Sequence, residues 1–259
     1  KDVVTFAHPN MRGGGDPVRV RQNTDDANAA DAVNIASQHR RDPTARWVWD
    51  AATSTATWLC EHPEFVRGRD VVEIGAGTGL LGIVASRLGA KRVTLTDLPS
   101  ELPLLRRNVA ANANANASAS AAGIDDGGEE TWSYGDHQSD AGTKLRVMPC
   151  AWGDDAALAS LGTYDVVLCS DALYQNDEET QAKLARTLSQ LTNRETPDAR
   201  ALFAYHFREN LAADRRFFEA IATLMSDPKQ HDVVDGELDA DELWLFEYAH
   251  AKKPAVGGS

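Results

Sequence analysis

Cysteine is scarce in this sequence, and the three present, Cys60, Cys150 and Cys169, are scattered. An odd number without paired spacing excludes a disulfide framework and a zinc ribbon, and points to a reducing compartment. Positive charge is also short: 26 Lys and Arg stand against 39 Asp and Glu, a formal net charge of −13. Nucleic-acid binding needs clustered cations to displace counterions, so that class of partner is set aside. The pairs Arg40-Arg41 and Arg106-Arg107 read as solvated faces. No transmembrane run and no signal peptide is found, so no membrane partner is expected. A chain that begins at Lys1 rather than Met is expected to have lost N-terminal residues. The seven histidines show neither a triad nor a metal-binding arrangement, and no metal site is expected. What the composition does permit is one large α/β domain, since 259 residues with 42% hydrophobic content can fill a core. The acidic balance suits a basic protein or peptide partner, although solubility explains it equally well.

The most informative stretch is Val71-Val72-Glu73-Ile74-Gly75-Ala76-Gly77-Thr78-Gly79. Val71 to Ile74 reads as a buried strand, and Leu80 to Ala85 as a helix packed on a sheet. A strand, a glycine turn and a helix open a nucleotide-binding unit. Gly77 to Gly82 satisfies G-x-G-x-x-G, and Asp97 lies twenty positions after Gly77, as a dinucleotide fingerprint requires. Taken from Gly75, however, the pattern is E-x-G-x-G-x-G. Glu73 would then face the ligand crevice, where a pyrophosphate would meet a like charge. A cationic sulfonium ligand with an amino group, S-adenosylmethionine, suits Glu73 better. Asp97, ending the strand Arg92–Thr96, would accept hydrogen bonds from its ribose. A glycine turn that merely packs helix on strand is the bland alternative.

Residues 1–45 read as an N-terminal extension, with a hairpin of Val3–Ala7 and Val18–Arg21 around Gly13 to Gly15, then a polar stretch over Asn23–Asp42. Residues 46–250 form the main domain, and 251–259 a tail. Trp47 and Trp49 face opposite ways on extended chain, and spacing alone favours core packing for each. A helix runs from there to about Cys60. Helices follow over Leu102 to about Ala111, Asp177 to Leu191 and Asp214 to Met225. Strands are expected at Leu145–Met148, Tyr164–Cys169 and Arg200–Tyr205, with short closing strands at Val233-Val234 and Leu243–Tyr248. Between them, 112–143 is low-complexity and reads as a mobile surface insertion. Alternating strands and helices imply a mostly parallel sheet, and the last two strands an antiparallel hairpin. This matches a Rossmann-like, seven-stranded class I methyltransferase sheet of order 3-2-1-4-5-7-6, with helices on both faces. The glycine loop and Asp171 are then expected across one crevice from each other.

Several separated pieces carry a more specific signal: V-W-D-A-A at Val48–Ala52, V-E-I-G-A-G-T-G-L at Val71–Leu80 and T-D-L at Thr96–Leu98. Others are W-G at Trp152-Gly153, D-A-L-Y at Asp171–Tyr174 and, more loosely, Y-x-x-R at Tyr205–Arg208. With these the chain resembles the seven-β-strand protein-lysine methyltransferases that carry a D-x-x-Y motif. That group includes the methyltransferase-like 21 and valosin-containing-protein lysine methyltransferase enzymes. The resemblance runs from about Arg46 to Tyr248 and departs from the family in the long insertion and at His206, where close relatives often have an acidic residue.

The resemblance implies an S-adenosylmethionine-dependent enzyme that methylates a protein lysine, monomeric, in the cytoplasm or also the nucleus. It implies a cofactor set of Trp49, Glu73, Gly75, Gly77, Gly79, Asp97, Leu98 and Trp152, with Trp49 against the cofactor and Trp152 near its adenine. Asp171 and Tyr174 would line the acceptor channel as the catalytic pair. Asp171 would orient the amine or take its proton, while a helix N-cap is its bland reading. A different acceptor (arginine, histidine or a small molecule) and a catalytically silent cofactor-binding scaffold remain alternative readings.

Overall fold

The computed structural model describes residues 3–11, 17–22, 46–113, 137–138, 142–173, 176–207, 211–233 and 243–251. A hairpin of β1 (Val3–Phe6) and β2 (Val18–Arg21) comes first, followed by α1 (Asp50–Glu61). Next are β3 (Asp70–Ile74), α2 (Leu80–Arg87), β4 (Arg92–Asp97) and α3 (Leu102–Asn112). Then come β5 (His137–Gln138), β6 (Lys144–Pro149), α4 (Asp155–Leu161), β7 (Val166–Ser170) and α5 (Glu178–Leu191). The chain closes with β8 (Arg200–His206), α6 (Leu211–Leu224), β9 (Lys229–His231) and β10 (Leu243–Tyr248).

The main sheet has the order β5-β6-β4-β3-β7-β8-β10-β9. Its five central strands are parallel, and β10 runs antiparallel to both β8 and β9. Counted from β3 and without β5, this is the expected 3-2-1-4-5-7-6. The two residues of β5 add an eighth, antiparallel strand on the edge of β6.

Strand parity sorts the core into two layers. Val71, Val93, Leu95, Val166, Leu168, Leu202 and Leu245 face one way and pack with buried residues of α1, α2 and α3. Val72, Ile74, Val167, Cys169, Ala201, Phe203 and Tyr205 face the other way, toward α5 and α6. Glu73 and Asp97 have the parity of Val71 and Leu95, so both carboxylates start on the α2 side. That placement governs the site below.

The hairpin is tied to the body. Val18 and Val20 are fully buried in the first core layer, and the N–H groups of Arg19 and Arg21 donate to the side-chain oxygens of Asn112 and Asn108 at 3.0 and 2.8 Å. Asn112, where the low-complexity stretch starts, is thus a structural residue. Thr143, at its other end, is buried with its hydroxyl on the carbonyls of Ser86 and Ala90. Most of the stretch between them lies outside the described residues, as do the glycines at 13–15, residues 23–42 and the tail beyond 251.

Several boundaries move. The first closing strand is β9, not Val233-Val234, because Lys229 and His231 carry the ladder with β10. His231 Nε2 also meets Glu247 Oε2 at 2.7 Å. Val233 is buried past the strand end, and Val234 lies outside the described residues. Tyr164 precedes β7, making an isolated bridge to Thr192 and a hydroxyl contact of 3.2 Å with Thr94. Helix α6 starts at Leu211, because Asp214 is inside it, accepting the Tyr205 hydroxyl at 2.7 Å. The seven-residue α4 has no counterpart in the periodicity; Asp154 caps it by accepting from the N–H groups of Ala156 and Ala157.

Candidate active site

A cavity of about 350 Å³ opens at the carboxyl ends of β3, β4 and β7. Strand order reverses between β3 and β7, leaving a crevice there that no crossover helix covers. The floor is the loop after β3. Gly75, Gly77 and Gly79 all have positive φ, at 62°, 54° and 83°. Gly79 shows the requirement best: a Cβ there would come within 2.6 Å of Leu105 Cδ1 in addition to its left-handed backbone. Asn108 of α3 steadies the loop by donating to the Thr78 carbonyl at 2.9 Å.

Glu73 lines the cavity, yet one of its oxygens turns away toward α2. Oε2 accepts the Gly82 N–H at 2.8 Å, and a Cβ at Gly82 would sit 2.6 Å from that oxygen. The third glycine of G-x-G-x-x-G therefore makes room for a carboxylate rather than for a phosphate. Burial pushes the Glu73 pKa up to about 8; the Gly82 hydrogen bond opposes this, and the nearby Asp97 charge adds to it.

Asp97 is buried at the tip of β4. Its Oδ2 accepts the Gly77 N–H at 2.7 Å and its Oδ1 accepts the Leu98 N–H at 2.7 Å. Leu98 is exposed at the rim beside it.

Across the cavity, Ser170 ends β7 and Asp171 follows. Asp171 N–H donates to the Ala204 carbonyl at 2.8 Å, which extends the β7–β8 ladder by one residue. Its φ of 48° then turns the chain sharply; Asp171 has the only positive φ of a non-glycine residue among those described. The bland N-cap reading of Asp171 does not hold, because α5 starts at Glu178 and is capped by Asp177, which accepts from Thr180 N–H. Gln181 fixes the approach to that helix, donating to the Asn176 and Ala213 carbonyls. Tyr174 lies outside the described residues.

Trp152, after β6, lines the cavity with its Cζ2 3.5 Å from where a Gly75 Cβ would be. Trp47 and Trp49 depart from the core packing that their spacing favours. Both are exposed, at 46% and 37%, and both stand in the cavity wall. The reason is that α1 begins only at Asp50, so the segment crosses the rim before it reaches the core. Tyr205 and His206 are not among the residues lining the cavity. Tyr205 instead pins α6 through Asp214.

Glu101 is a wall residue that no motif marks. It is 3% exposed, with Oε2 held by Arg46 Nε at 3.3 Å, and Oε1 is buried without a partner among the described residues. Ser170 Oγ is likewise buried and unpartnered among them. Cys150 also lines the wall; burial, then the Asp154 charge, pushes its thiol up to about 11, so it stays protonated and is no nucleophile.

A profile described as "lysine methyltransferase" matches residues 28–130 and 136–224. The chain is 32% identical over 164 residues to protein N-lysine methyltransferase METTL21A of Danio rerio, covering 63% of each chain. It is 35% identical over 127 residues to EEF1A lysine methyltransferase 3 of Mus musculus, covering 49% of this chain and 43% of that one. This chain thus spans less than two thirds of the length of the curated relatives it matches. Among solved structures, a glycopeptide N-methyltransferase, MtfA, complexed with sinefungin shares the fold at TM-score 0.53 and 14% identity, over 79% of this chain and 96% of that one. A methyltransferase from Pyrococcus furiosus does so at TM-score 0.51 and 16% identity, over 87% and 94%.

Proposed function

The chain belongs to the lysine methyltransferase family, and from that premise we propose that it transfers a methyl group from S-adenosylmethionine to a lysine side chain of a protein. The observation that carries this reading is the meeting of the glycine loop, Asp97 and Asp171 at one cavity of about 350 Å³.

The residues fit the cofactor. Among the described residues, Glu73, Asp97, Glu101 and Asp171 outnumber the one cation of the cavity wall, Lys183, which favours a cation with several hydrogen-bond donors over a pyrophosphate. Glycine at 75 leaves the Trp152 indole uncovered as a flat wall for a base. Asp97 would accept hydrogen bonds from the ribose hydroxyls, with Trp49 and Leu98 flanking the mouth. When bound, S-adenosylmethionine supplies an electrophilic methyl on a sulfonium, which is a good leaving group.

The chain's own task is to present a neutral amine in line with that methyl, so positioning supplies much of the barrier reduction. A lysine ammonium has an ordinary pKa of about 10.4 and must shed its proton before attack. Asp171, in the cavity wall, would hold the amine by one N–H and receive the departing proton. Its backbone hydrogen bond to the Ala204 carbonyl ties the turn to β8. Tyr174 would wall the acceptor channel. The net charge of −13 supports a basic protein segment as partner. Among the described residues no helix is long and apolar enough to cross a membrane. A monomer acting in the cytoplasm, or also the nucleus, completes the proposal.

The test is to incubate the protein with radiolabelled S-adenosylmethionine and a cell lysate, then digest the labelled band. Methyl-lysine in the digest is the expected result. Label on arginine, histidine or a small molecule would replace the acceptor. Calorimetry that finds micromolar NAD binding and no S-adenosylmethionine binding would overturn the cofactor as well.

A further inference from the structure

We propose that Trp47 is a further cofactor-binding residue, its indole closing over the nucleoside half of S-adenosylmethionine. The inference rests on reading the cavity as an S-adenosylmethionine site. It adds a residue outside the family motifs, the first of which starts at Val48.

Exposed apolar side chains scattered singly over a surface need no explanation, whereas several gathered at a cavity mouth mark ground that a ligand or partner covers. Among the described residues four large hydrophobic side chains are exposed: Val3, Trp47, Trp49 and Leu98. The last three all line the cavity, and Trp47 is the most exposed of them. The backbone around Trp47 is fixed in advance. Val48 packs, partly buried, on the first core layer, and its N–H donates to Gln22 Oε1 at 2.7 Å. The Trp49 carbonyl accepts the Ala52 N–H at 2.9 Å as α1 begins. An indole on an anchored backbone loses little further freedom when a ligand settles against it.

The tethers select the part of the cofactor. Arg46 Nε donates to Glu101 Oε2 at 3.3 Å, Glu101 N–H to the Leu98 carbonyl at 2.9 Å, and Leu98 N–H to Asp97 Oδ1 at 2.7 Å. This relay joins the residue before Trp47 to the carboxylate proposed for the ribose. From Arg46 the chain crosses the rim to α1, where Ala52 also lines the cavity. Trp47 therefore belongs with Leu98 to the β4 side of the mouth, and Asp171 to the β7 side. A large flat apolar ring in that place suits the faces of a base and a ribose, which it shields from water.

The experiment is calorimetric titration with S-adenosylhomocysteine and with 5′-methylthioadenosine, which keeps the nucleoside and lacks the amino-acid end, so that catalysis is not the readout. Trp47→Ala should weaken both ligands about tenfold, the scale of losing an aromatic contact with a nucleoside. Trp47→Phe, which keeps a ring, should lose less than about threefold. Val3→Ala removes an exposed side chain outside the cavity wall and should bind as the wild type does. Hydroxyl-radical footprinting read by mass spectrometry gives a second measure. Saturating S-adenosylhomocysteine should protect Trp47 from labelling and leave Trp244, outside the cavity wall, unchanged. Wild-type affinity in Trp47→Ala overturns the proposal. So does a loss confined to S-adenosylhomocysteine, which would put the indole over the amino-acid end. Unchanged labelling of Trp47 in the liganded protein also overturns it, and would make the exposed indole a contact for the acceptor protein instead. If the wild-type protein binds neither ligand, the cofactor reading fails, and the two failures are told apart.

Discussion

Along the β3–β4 rim, Glu73 and Asp97 are buried and hold the N–H groups of Gly82, Gly77 and Leu98. On the β7 rim, Ser170 Oγ has no partner among the described residues, and Asp171 is half-exposed on a left-handed backbone. The first rim satisfies its charges in advance, apart from Glu101 Oε1. The second leaves the Ser170 hydroxyl without a partner among the described residues, next to a strained turn. A surface that holds one invariant ligand gains from being fully organised before the ligand arrives. A surface that must receive a long side chain and handle its proton needs groups that are still free to bond. The comparison predicts that substitutions on the two rims fail in different ways.

The largest expected effect is on the first rim. Gly82→Ala puts a Cβ 2.6 Å from Glu73 Oε2 and 2.8 Å from Leu95 Cδ2, inside a helix whose residues are all buried. Overpacking of this kind costs about 1–3 kcal/mol or more of fold stability, readable by urea unfolding. Unchanged stability would mean that the loop is more compliant than its packing shows.

Next is Asp97→Ala, which removes the acceptor at Gly77 and Leu98 together with the proposed ribose receptor. Cofactor affinity should fall by about 1–3 kcal/mol by calorimetry. Asp171→Asn should reverse that pattern. It keeps the shape of the turn, so S-adenosylmethionine affinity should hold while methyl transfer drops at least about tenfold, near 1.4 kcal/mol on the barrier. An Asp171→Asn protein that binds the cofactor and methylates at the wild-type rate would falsify the catalytic role.

A smaller effect separates the rims by pH. The Glu73 pKa is raised from 4.5 to about 8 in the folded protein. Between those values the folded state keeps a proton that the unfolded chain has released. The contribution of Glu73 to stability is therefore full below about pH 4.5 and is lost as pH rises through about 8. Glu73→Gln should flatten the fall in melting temperature between pH 5 and 8. Smallest is Asp171→Gly, which relieves the φ of 48° and should stabilise the unliganded fold by up to about 1 kcal/mol while abolishing transfer. A loss of stability there would show that the side chain, not the turn, holds the β7 rim together.

How much of this was legible differs from residue to residue. The loop of Gly75, Gly77 and Gly79 could be read because positive φ at alternate positions demands one residue type. Asp97 could be read because strand β4 has to end beside that loop in any doubly wound sheet. Trp47 and Trp49 misled as spacing, because alternation says which side a residue faces but not whether core or solvent lies there. Glu101 carried no signal: its partner Arg46 is far away in sequence, and a Glu before a helix is unremarkable in a chain this acidic. Asp171 could be placed by strand order across the crevice from the glycine loop, and its role read from the D-A-L-Y resemblance, but its turn geometry not at all.

The sequence by itself determined the strand parity, the strand order and the glycine loop, since these follow from local sterics, from alternation and from the few ways that parallel strands can be connected. Only the tertiary structure decided that Glu73 would spend one oxygen on Gly82, that Asp177 and not Asp171 would cap α5, and that Arg46 would leave Glu101 half-satisfied. Each of those depends on where a distant backbone N–H or guanidinium comes to rest. Hydrogen bonds act over about 3 Å, and only the completed packing of helix on sheet specifies a position that finely.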